Sequence, residues 1–571
     1  MIISINEVKN KIIGRFFNNH TQNIASAAII LGTATLASCF LGMIRQRLLV
    51  AAFGVGNNLD AYFAAFQIPN FAYNLLISAT LSVAFIPVFC EYLSKDKIEA
   101  WRIANSILNL TIIVMGILSF VLFLGAPYFV KLVSPGFSGE KYSLTVNLTR
   151  ILMLSPWLFS ISSIFSSILN SFRSFLLVAL APLIYNAAII LGILFLAPFF
   201  GIYGVVAAVI SGALMHILIQ IPGAKKFGFN WQMVIDIKNR GVREIIRLIV
   251  PRIFAIDVSQ ISQLVGTIIG STLMIGSVAI FNLVYNIEAL PIGIFAVSFV
   301  VSVFPSLSGE IAQGNLQNFK RDFSYTARQI LFFLIPLAIL TFIFRAQIVR
   351  LIIGARNLSW GETRLAAGSL AIFAVSFIFQ GLTPLFARVF FALKNTVTPL
   401  IISFISVLFN VSGTYFFLAL LGKNGFFFQS ISSLLKLDGI GDLRALALPF
   451  GFSIASFFNA AALFFVLRWK FGHLDMDTKK IILAFLKYLL AGLAAGAAGY
   501  AGLYFIEPFL DTHTFLGILM QLSFATVLAV AVFTLTSLLI KSEEMISLIN
   551  SIGRKMGRSV TILDINRTSQ L

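Results

Sequence analysis

Between Arg173 and Lys225 the chain carries no Asp, Glu, Lys or Arg at all. One bilayer-crossing helix needs about 20 apolar residues, so this run is long enough to cross a membrane twice, turning near Pro198 and Gly201. Comparable charge-free runs recur at 16–44, 61–90, 103–130, 151–172, 258–287, 289–309, 365–387, 395–422, 445–467, 488–506 and 512–540. Over all 571 residues, 59% are hydrophobic and 11% charged, against about a quarter charged in a soluble domain. The pattern excludes soluble, disordered and disulfide-scaffold classes.

The runs predict an all-α polytopic membrane protein of about fourteen transmembrane helices. Their expected limits are 27–53, 60–92, 103–131, 144–170, 174–198, 203–223, 243–270, 274–304, 327–352, 364–392, 396–421, 446–468, 480–506 and 514–541. With the N-terminus inside, the inner segments hold roughly three times the Lys and Arg of the outer ones, as the positive-inside rule requires. Both termini are therefore expected on the cytoplasmic side. Residues 1–18 read either as an amphipathic helix on the inner surface or as a frayed tail.

Self-similarity at a spacing of about 217 residues divides the first twelve spans into two groups of six. Ser82–Phe89, with Pro87, matches Val300–Leu307, with Pro305. Leu169–Arg173 before Pro182 matches Leu393–Asn395 before Pro399. Six is an even number, so the two lobes should be related by a pseudo-twofold along the membrane normal, with a central cavity between them. The expected organisation is a cytoplasmic tail 1–23, an N-lobe 24–224, a basic linker 225–242, and a C-lobe 243–468 with an outer insertion 422–445. A helix pair 476–541 and a cytoplasmic tail 542–571 follow. Gly492, Gly496, Gly499 and Gly502 in that pair favour close helix packing.

No chemistry-bearing motif suggests catalysis. Cys39 and Cys90 lie in apolar runs, and the four histidines are too dispersed for a metal cluster. No phosphate-binding GxxxxGK[ST] loop, nucleophile elbow or HExxH helix is present. The reading is a transporter, not an enzyme, with no cofactor and no nucleic-acid partner; membrane potential and an ion gradient remain open as drives.

Ionisable residues inside spans then mark function, because each is costly in hydrocarbon unless paired or facing water. Arg45 and Arg47 lie in the first span after Gly42. Two residues apart is about 200° around a helix, so one faces a cavity while the other anchors at the interface or pairs, with Asp60 as a candidate. Arg252 is either a substrate contact or a structural partner of Asp257 or Glu288. Arg150 and Arg388 read as anchors and His216 as a packed, hydrogen-bonded histidine. Asn186, Asn286 and Asn410 read as interhelical hydrogen-bond groups.

The string Leu41-Gly-Met-Ile-Arg45-Gln-Arg-Leu-Leu, then Phe53-Gly-Val-Gly56, Asp60-Ala-Tyr-Phe-Ala-Ala-Phe66-Gln-Ile-Pro69-Asn70 and Ala84-Phe-Ile-Pro87, resembles the MurJ/MviN family of lipid II flippases. Leu290-Pro-Ile-Gly293, Val303-Phe-Pro305-Ser-Leu-Ser308 and Ala392-Leu-Lys-Asn-Thr-Val-Thr-Pro399 extend the resemblance along the chain. It implies a fold of the multidrug/oligosaccharidyl-lipid/polysaccharide exporter superfamily, with a cationic cavity and a groove for the lipid tail beside the last helix pair. It also implies that Arg45 is the cavity arginine and Asp60 the acidic residue opening the second span. Cys39, Tyr73, Asn74 and Asn286 stand where members carry arginines, Gln46 replaces an aspartate, and Ser78-Ala79 replaces a Glu-Gly.

The leading expectation is thus a flippase moving an undecaprenyl-pyrophosphate-linked peptidoglycan precursor outward by alternating access. Its expected partners are that lipid, membrane lipids and the cell-wall synthesis machinery. The implied substrate-binding residues are Arg45, Asp60, Arg252, Arg47, Glu288 and Asn286. Alternatives are a flippase for another lipid-linked oligosaccharide, a cation-coupled drug exporter of the same fold, or a scaffold recruiting partners through its basic loops.

Overall fold

A computed structural model describes the backbone of residues 24–74, 81–253, 258–355, 357–423, 425–472 and 476–555. Side chains within these are described except at 24–30, 81–83, 250–253, 258–259 and 551–555. The described residues are helical or irregular, with no strand. They form two compact units: residues up to Ala279 with Ala355–Leu358, and Ile280–Gly354 with the rest from Ser359.

The first unit contains α1 (Ile24–Phe53), α2 (Asn57–Tyr73), α3 (Leu81–Lys95), α4 (Lys97–Leu124) and α5 (Ala126–Val133). Next come α6 (Gly139–Leu152), α7 (Leu154–Ser171), α8 (Phe175–Phe195), α9 (Ala197–Phe200) and α10 (Ile202–Leu218). It ends with α11 (Ile221–Lys226), α12 (Arg240–Ile253), α13 (Val258–Gly270) and the start of α14 (Ser277–Pro291). Its core joins Phe85 and Phe89 of α3, Ile103 and Ile107 of α4, Ile164 and Ile168 of α7, and Val242 and Ile245 of α12.

That last pair ties the end of the basic segment and the residues after it to the first unit. The compact units part at 279/280, not in the basic segment 225–242. The physical reason is burial: Val242 and Ile245 are sealed against α3 and α4, and Gly241 lies so close to Ile103 and Tyr92 that a Cβ would clash. Leu264 of α13 packs beside Ile68 and Val130. The seventh span therefore belongs to the first unit.

The second unit continues α14 into a π-turn (Ile292–Val297), α15 (Ser298–Gln313), α16 (Leu316–Ile352), α17 (Trp360–Ala392), α18 (Val397–Leu421) and α19 (Phe426–Leu435). It closes with α20 (Ala447–Lys470), α21 (Thr478–Ile506), α22 (Phe515–Leu539) and α23 (Glu543–Lys555). Gly492 and Gly496 admit Ile339 of α16, Gly499 admits Phe344, and Gly502 meets Ala525 and Leu528 of α22, all at distances a Cβ would violate or crowd. The glycine string is thus helix packing, as expected, and it seats the last pair on α16 within one compact unit. Part of the 422–445 segment is held against the second unit's core helices: Arg364 of α17 donates to the carbonyls of Lys436 (2.8 Å) and Asp438 (3.0 Å).

Twelve helical runs among the described residues are long and apolar enough to cross a membrane. The second and seventh expected spans, 60–92 and 243–270, each include residues outside the described set, 75–80 and 254–257, with α2 and α3 flanking the first gap and α12 and α13 the second. The repeat is visible in local geometry. Arg173 (φ 56°) and Lys394 (φ 57°) are both left-handed, each ending the fourth span of its group. Ser174 N–H donates to Leu169 O (2.9 Å) as Asn395 N–H does to Phe390 O (2.9 Å), the same six-residue helix-end closure in both groups.

The segment from 542, expected as a cytoplasmic tail, begins with a docked helix. Arg328 of α16, only 13% exposed, pairs with Glu543 (2.7 Å) and Glu544 (2.6 Å) of α23. Tyr488 of α21 donates to Glu544, and Ser542 adds a bond at 3.2 Å. Removing one partner of a pair this buried strands the other charge, at about 3–5 kcal/mol. Arg328→Ala should therefore lower the thermal unfolding midpoint in detergent far more than the exposed control Arg321→Ala. Equal midpoints for the two variants would contradict the pairing. The N-terminal residues 1–18 and the tail from 556 lie outside the described residues.

Candidate functional site

Arg45 sits in the apolar α1 and is half-buried. Its Nη1 donates to Asn186 Oδ1 of α8 at 3.0 Å. Asn186 is itself fixed, its Nδ2 donating to Ser38 Oγ (3.1 Å) and Pro182 O (3.1 Å). The amide oxygen is thereby aimed at the guanidinium. The Nε of Arg45 is buried with no hydrogen-bond acceptor, and no carboxylate pairs with this arginine among the described residues. Tyr62 of α2 and Tyr185 of α8 lie within electrostatic reach of it. A guanidinium held by a neutral amide, with donor capacity left over, is a site for a phosphate or carboxylate oxygen.

Asp60 has a different assignment from the one its neighbourhood in sequence suggests. It is 1% exposed and accepts from Lys141 Nζ at 2.7 Å. It also accepts from the backbone N–H groups of Gly276 and Ala279, each at 2.8 Å. Gly276 has φ 90°, and a Cβ there would strike Val55. Asp60 thus caps the first turn of α14, where free N–H groups favour an anion. The expected partnership with Arg45 or Arg47 is corrected: the Asp60 oxygens are taken by Lys141 and the α14 N-terminus. Arg47 is half-buried on a different side of α1.

Glu288 of α14 is also 1% exposed. Its Oε2 accepts from Gln380 Nε2 of α17 at 2.9 Å, and that nitrogen also donates to Ser376 Oγ at 2.6 Å. Its Oε1 has no acceptor or donor partner. Neither Asp60 nor Glu288 offers surface to a ligand in this conformation. Asn286 is half-buried and, two residues before Glu288, points elsewhere around the helix. The Arg252 side chain and Asp257 lie outside the described residues, as do Ser78 and Ala79. Of the six expected residues, Arg45 and Asp60 belong to the first unit and Asn286 and Glu288 to the second.

Three further polar residues in spans, His216, Arg150 and Arg388, make contacts within the protein. His216 Nδ1 shares a 2.6 Å hydrogen bond with Ser162 Oγ, and Gln220 closes the cluster. Arg150 lies over the Phe123 ring (5.6 Å) and Arg388 over Phe304 (4.7 Å). Sequence reasoning missed Lys141 and the Asn186 contact to Arg45, since neither partner lies at a helical spacing from its mate.

Comparison with known proteins settles the family. The model of the family described as "Lipid II flippase MurJ" matches residues 49–524, so Arg45 and Arg47 lie just N-terminal to the matched range. The chain is similar to the lipid II flippase MurJ of Burkholderia cenocepacia, 27% identical over 415 residues, covering 71% of this chain and 80% of the relative. It is also similar to the probable lipid II flippase MurJ of Buchnera aphidicola subsp. Acyrthosiphon pisum, 29% identical, covering 68% and 77%. Among solved structures the fold matches a lipid II flippase MurJ in an inward closed conformation, with TM-score 0.69, 23% identity, and coverage of 93% of this chain and 100% of the other. It also matches an inward-facing multidrug resistance MATE transporter of the MOP superfamily, with TM-score 0.60 and 15% identity, covering 78% and 99%. The family match spans most of the length, and the chain belongs to the lipid II flippase MurJ family.

Proposed function

We propose that this protein carries lipid II, the undecaprenyl-pyrophosphate-linked peptidoglycan precursor, from the inner to the outer leaflet by alternating access. It acts as a transporter and not as a catalyst. The observation that carries the site assignment is the Arg45 guanidinium, held by Asn186 and, among the described residues, unpaired with any carboxylate. A pyrophosphate taken out of water needs such a counter-charge, since an unneutralised anion in a poorly solvated site is strongly penalised. A cation exporter would be served by an acidic pocket, and Asp60 and Glu288 are both sealed from solvent.

The protein sits in the bacterial cytoplasmic membrane with both termini inside, and it meets the cell-wall synthesis machinery there. No cofactor takes part; membrane potential or an ion gradient drives the cycle. Growth complementation in cells depleted of their own lipid II flippase tests the reading: the wild-type chain should restore growth, and failure at normal membrane abundance would refute it.

Topology is tested separately. In a Cys39→Ser, Cys90→Ser background, Ser430→Cys should react with an impermeant thiol reagent added outside intact cells, and Lys238→Cys only after permeabilisation, as the charge bias requires. Reaction of residue 430 from the cytoplasmic side alone would overturn the arrangement.

A further inference from the structure

Part of the segment expected as a basic linker is stapled along α4 without helical structure. Asn105 Nδ2 donates to Asn230 O (3.0 Å), and Asn109 Nδ2 to Gln232 O (2.7 Å) and Val234 O (3.0 Å). Gln232 N–H donates to Asn105 Oδ1 (3.0 Å), Asp236 N–H to Ser106 Oγ (3.2 Å), and Trp231 Nε1 to Asn109 Oδ1 (3.1 Å). Arg102 pairs with Asp236 at 3.0 Å. An apolar span has thus devoted three polar side chains, Asn105, Ser106 and Asn109, to one loop's backbone. In water those groups would be solvated without help. Irregular backbone persists at membrane depth only where protein satisfies it.

The outward side of the segment supports the same location. Trp231 (54% exposed), Met233 (86%), Ile235 (45%) and Ile237 (55%) form an alternating apolar row, the period of an extended chain with one face turned outward. Ile98 of α4, 82% exposed, stands nearby, bordering a cavity of about 320 Å³ that Arg102, Asn230 and Gln232 also line. Exposed Lys225, Lys238, Arg240 and Arg243 bracket the row. An apolar face flanked by cations matches the boundary between acyl chains and anionic headgroups.

We propose that residues 228–238 form an interfacial strap whose apolar row enters an anionic lipid leaflet while the flanking cations meet lipid phosphates. The inference is independent of which lipid the protein transports. The full-length protein, with Cys39→Ser and Cys90→Ser, is spin-labelled at Met233→Cys, a side chain that packs on little, and reconstituted in vesicles containing phosphatidylglycerol. A water-soluble nickel chelate should relax this label about fivefold less than a label at Lys238→Cys, because the apolar boundary excludes it. Protection should weaken in pure phosphatidylcholine and in the Lys225→Gln, Arg240→Gln variant. Equal chelate access at 233 and 238 would overturn the proposal, and so would protection that ignores both lipid charge and the two substitutions. A second readout avoids the label altogether. Brominated phosphatidylglycerol should quench a component of tryptophan emission that Trp231→Phe removes, and quenching identical in the two proteins would equally refute the strap.

Discussion

Arg45→Ala should abolish complementation of a flippase-depleted strain while the protein reaches the membrane at normal abundance. The guanidinium is half-buried and, among the described residues, hydrogen-bonded to an amide and to no carboxylate, so truncating it leaves none of their charges unpaired and should cost little stability. What it removes is a charge-assisted contact to pyrophosphate, worth about 1.5–3 kcal/mol, or roughly ten- to a hundredfold in flipping rate. Arg45→Lys should fall between, because an ammonium keeps the charge but loses the bidentate fork. Asn186→Leu should be milder than Arg45→Ala, since it releases the guanidinium without deleting it. Immunoblotting beside growth curves separates these outcomes from poor expression. Full growth with Arg45→Ala would remove this residue from the mechanism and turn attention to Arg252.

Asp60→Ala should fail in a different way, by unfolding rather than by idling. It leaves Lys141, whose side chain is 15% exposed, without its counter-charge and two N–H groups at the start of α14 without an acceptor. Breaking a buried pair of this kind costs about 3–5 kcal/mol. Asp60→Asn keeps a carbonyl for the backbone donors but not the ion pair, and should cost about half as much. Adding Lys141→Met to Asp60→Asn should recover part of the loss, because the stranded ammonium is then gone. Thermal unfolding in detergent, followed by tryptophan emission, measures the series. An unchanged midpoint for Asp60→Ala would show that the cap and pair contribute nothing.

These two residues also show what the chain makes legible and what it hides. The helices are readable because hydrocarbon forbids unpaired charge, so charge-free runs map directly onto spans; among the described residues twelve runs emerge as helices long and apolar enough to span. Arg45 was readable because a cation far inside an apolar helix must have a task. Asp60 was readable as important but not in its role, since Lys141 and Gly276 are remote in sequence and no spacing rule connects them. The charges of 225–242 read as a hydrated linker, whereas Val242 at its end and Ile245 just beyond it are core residues. The strap left a trace, an alternation of Trp231, Met233, Ile235 and Ile237 opposite Asn105 and Asn109 one helical turn apart. Only the fold brings the two patterns together. The docked α23 was equally concealed: Glu543 and Glu544 read as a polar tail until Arg328 and Tyr488 are seen against them.

The central claim, outward movement of lipid II, is tested most directly by the leaflet distribution of that lipid in cells whose own flippase has been depleted. Outer-leaflet lipid II can be cleaved by an externally added enzyme specific for it, and the released headgroup counted. With this protein expressed, the cleavable fraction should return to the level seen before depletion, and with the Arg45→Ala variant it should stay near the depleted baseline. A cleavable fraction that stays at baseline with the wild-type protein, present at normal membrane abundance, would contradict the account.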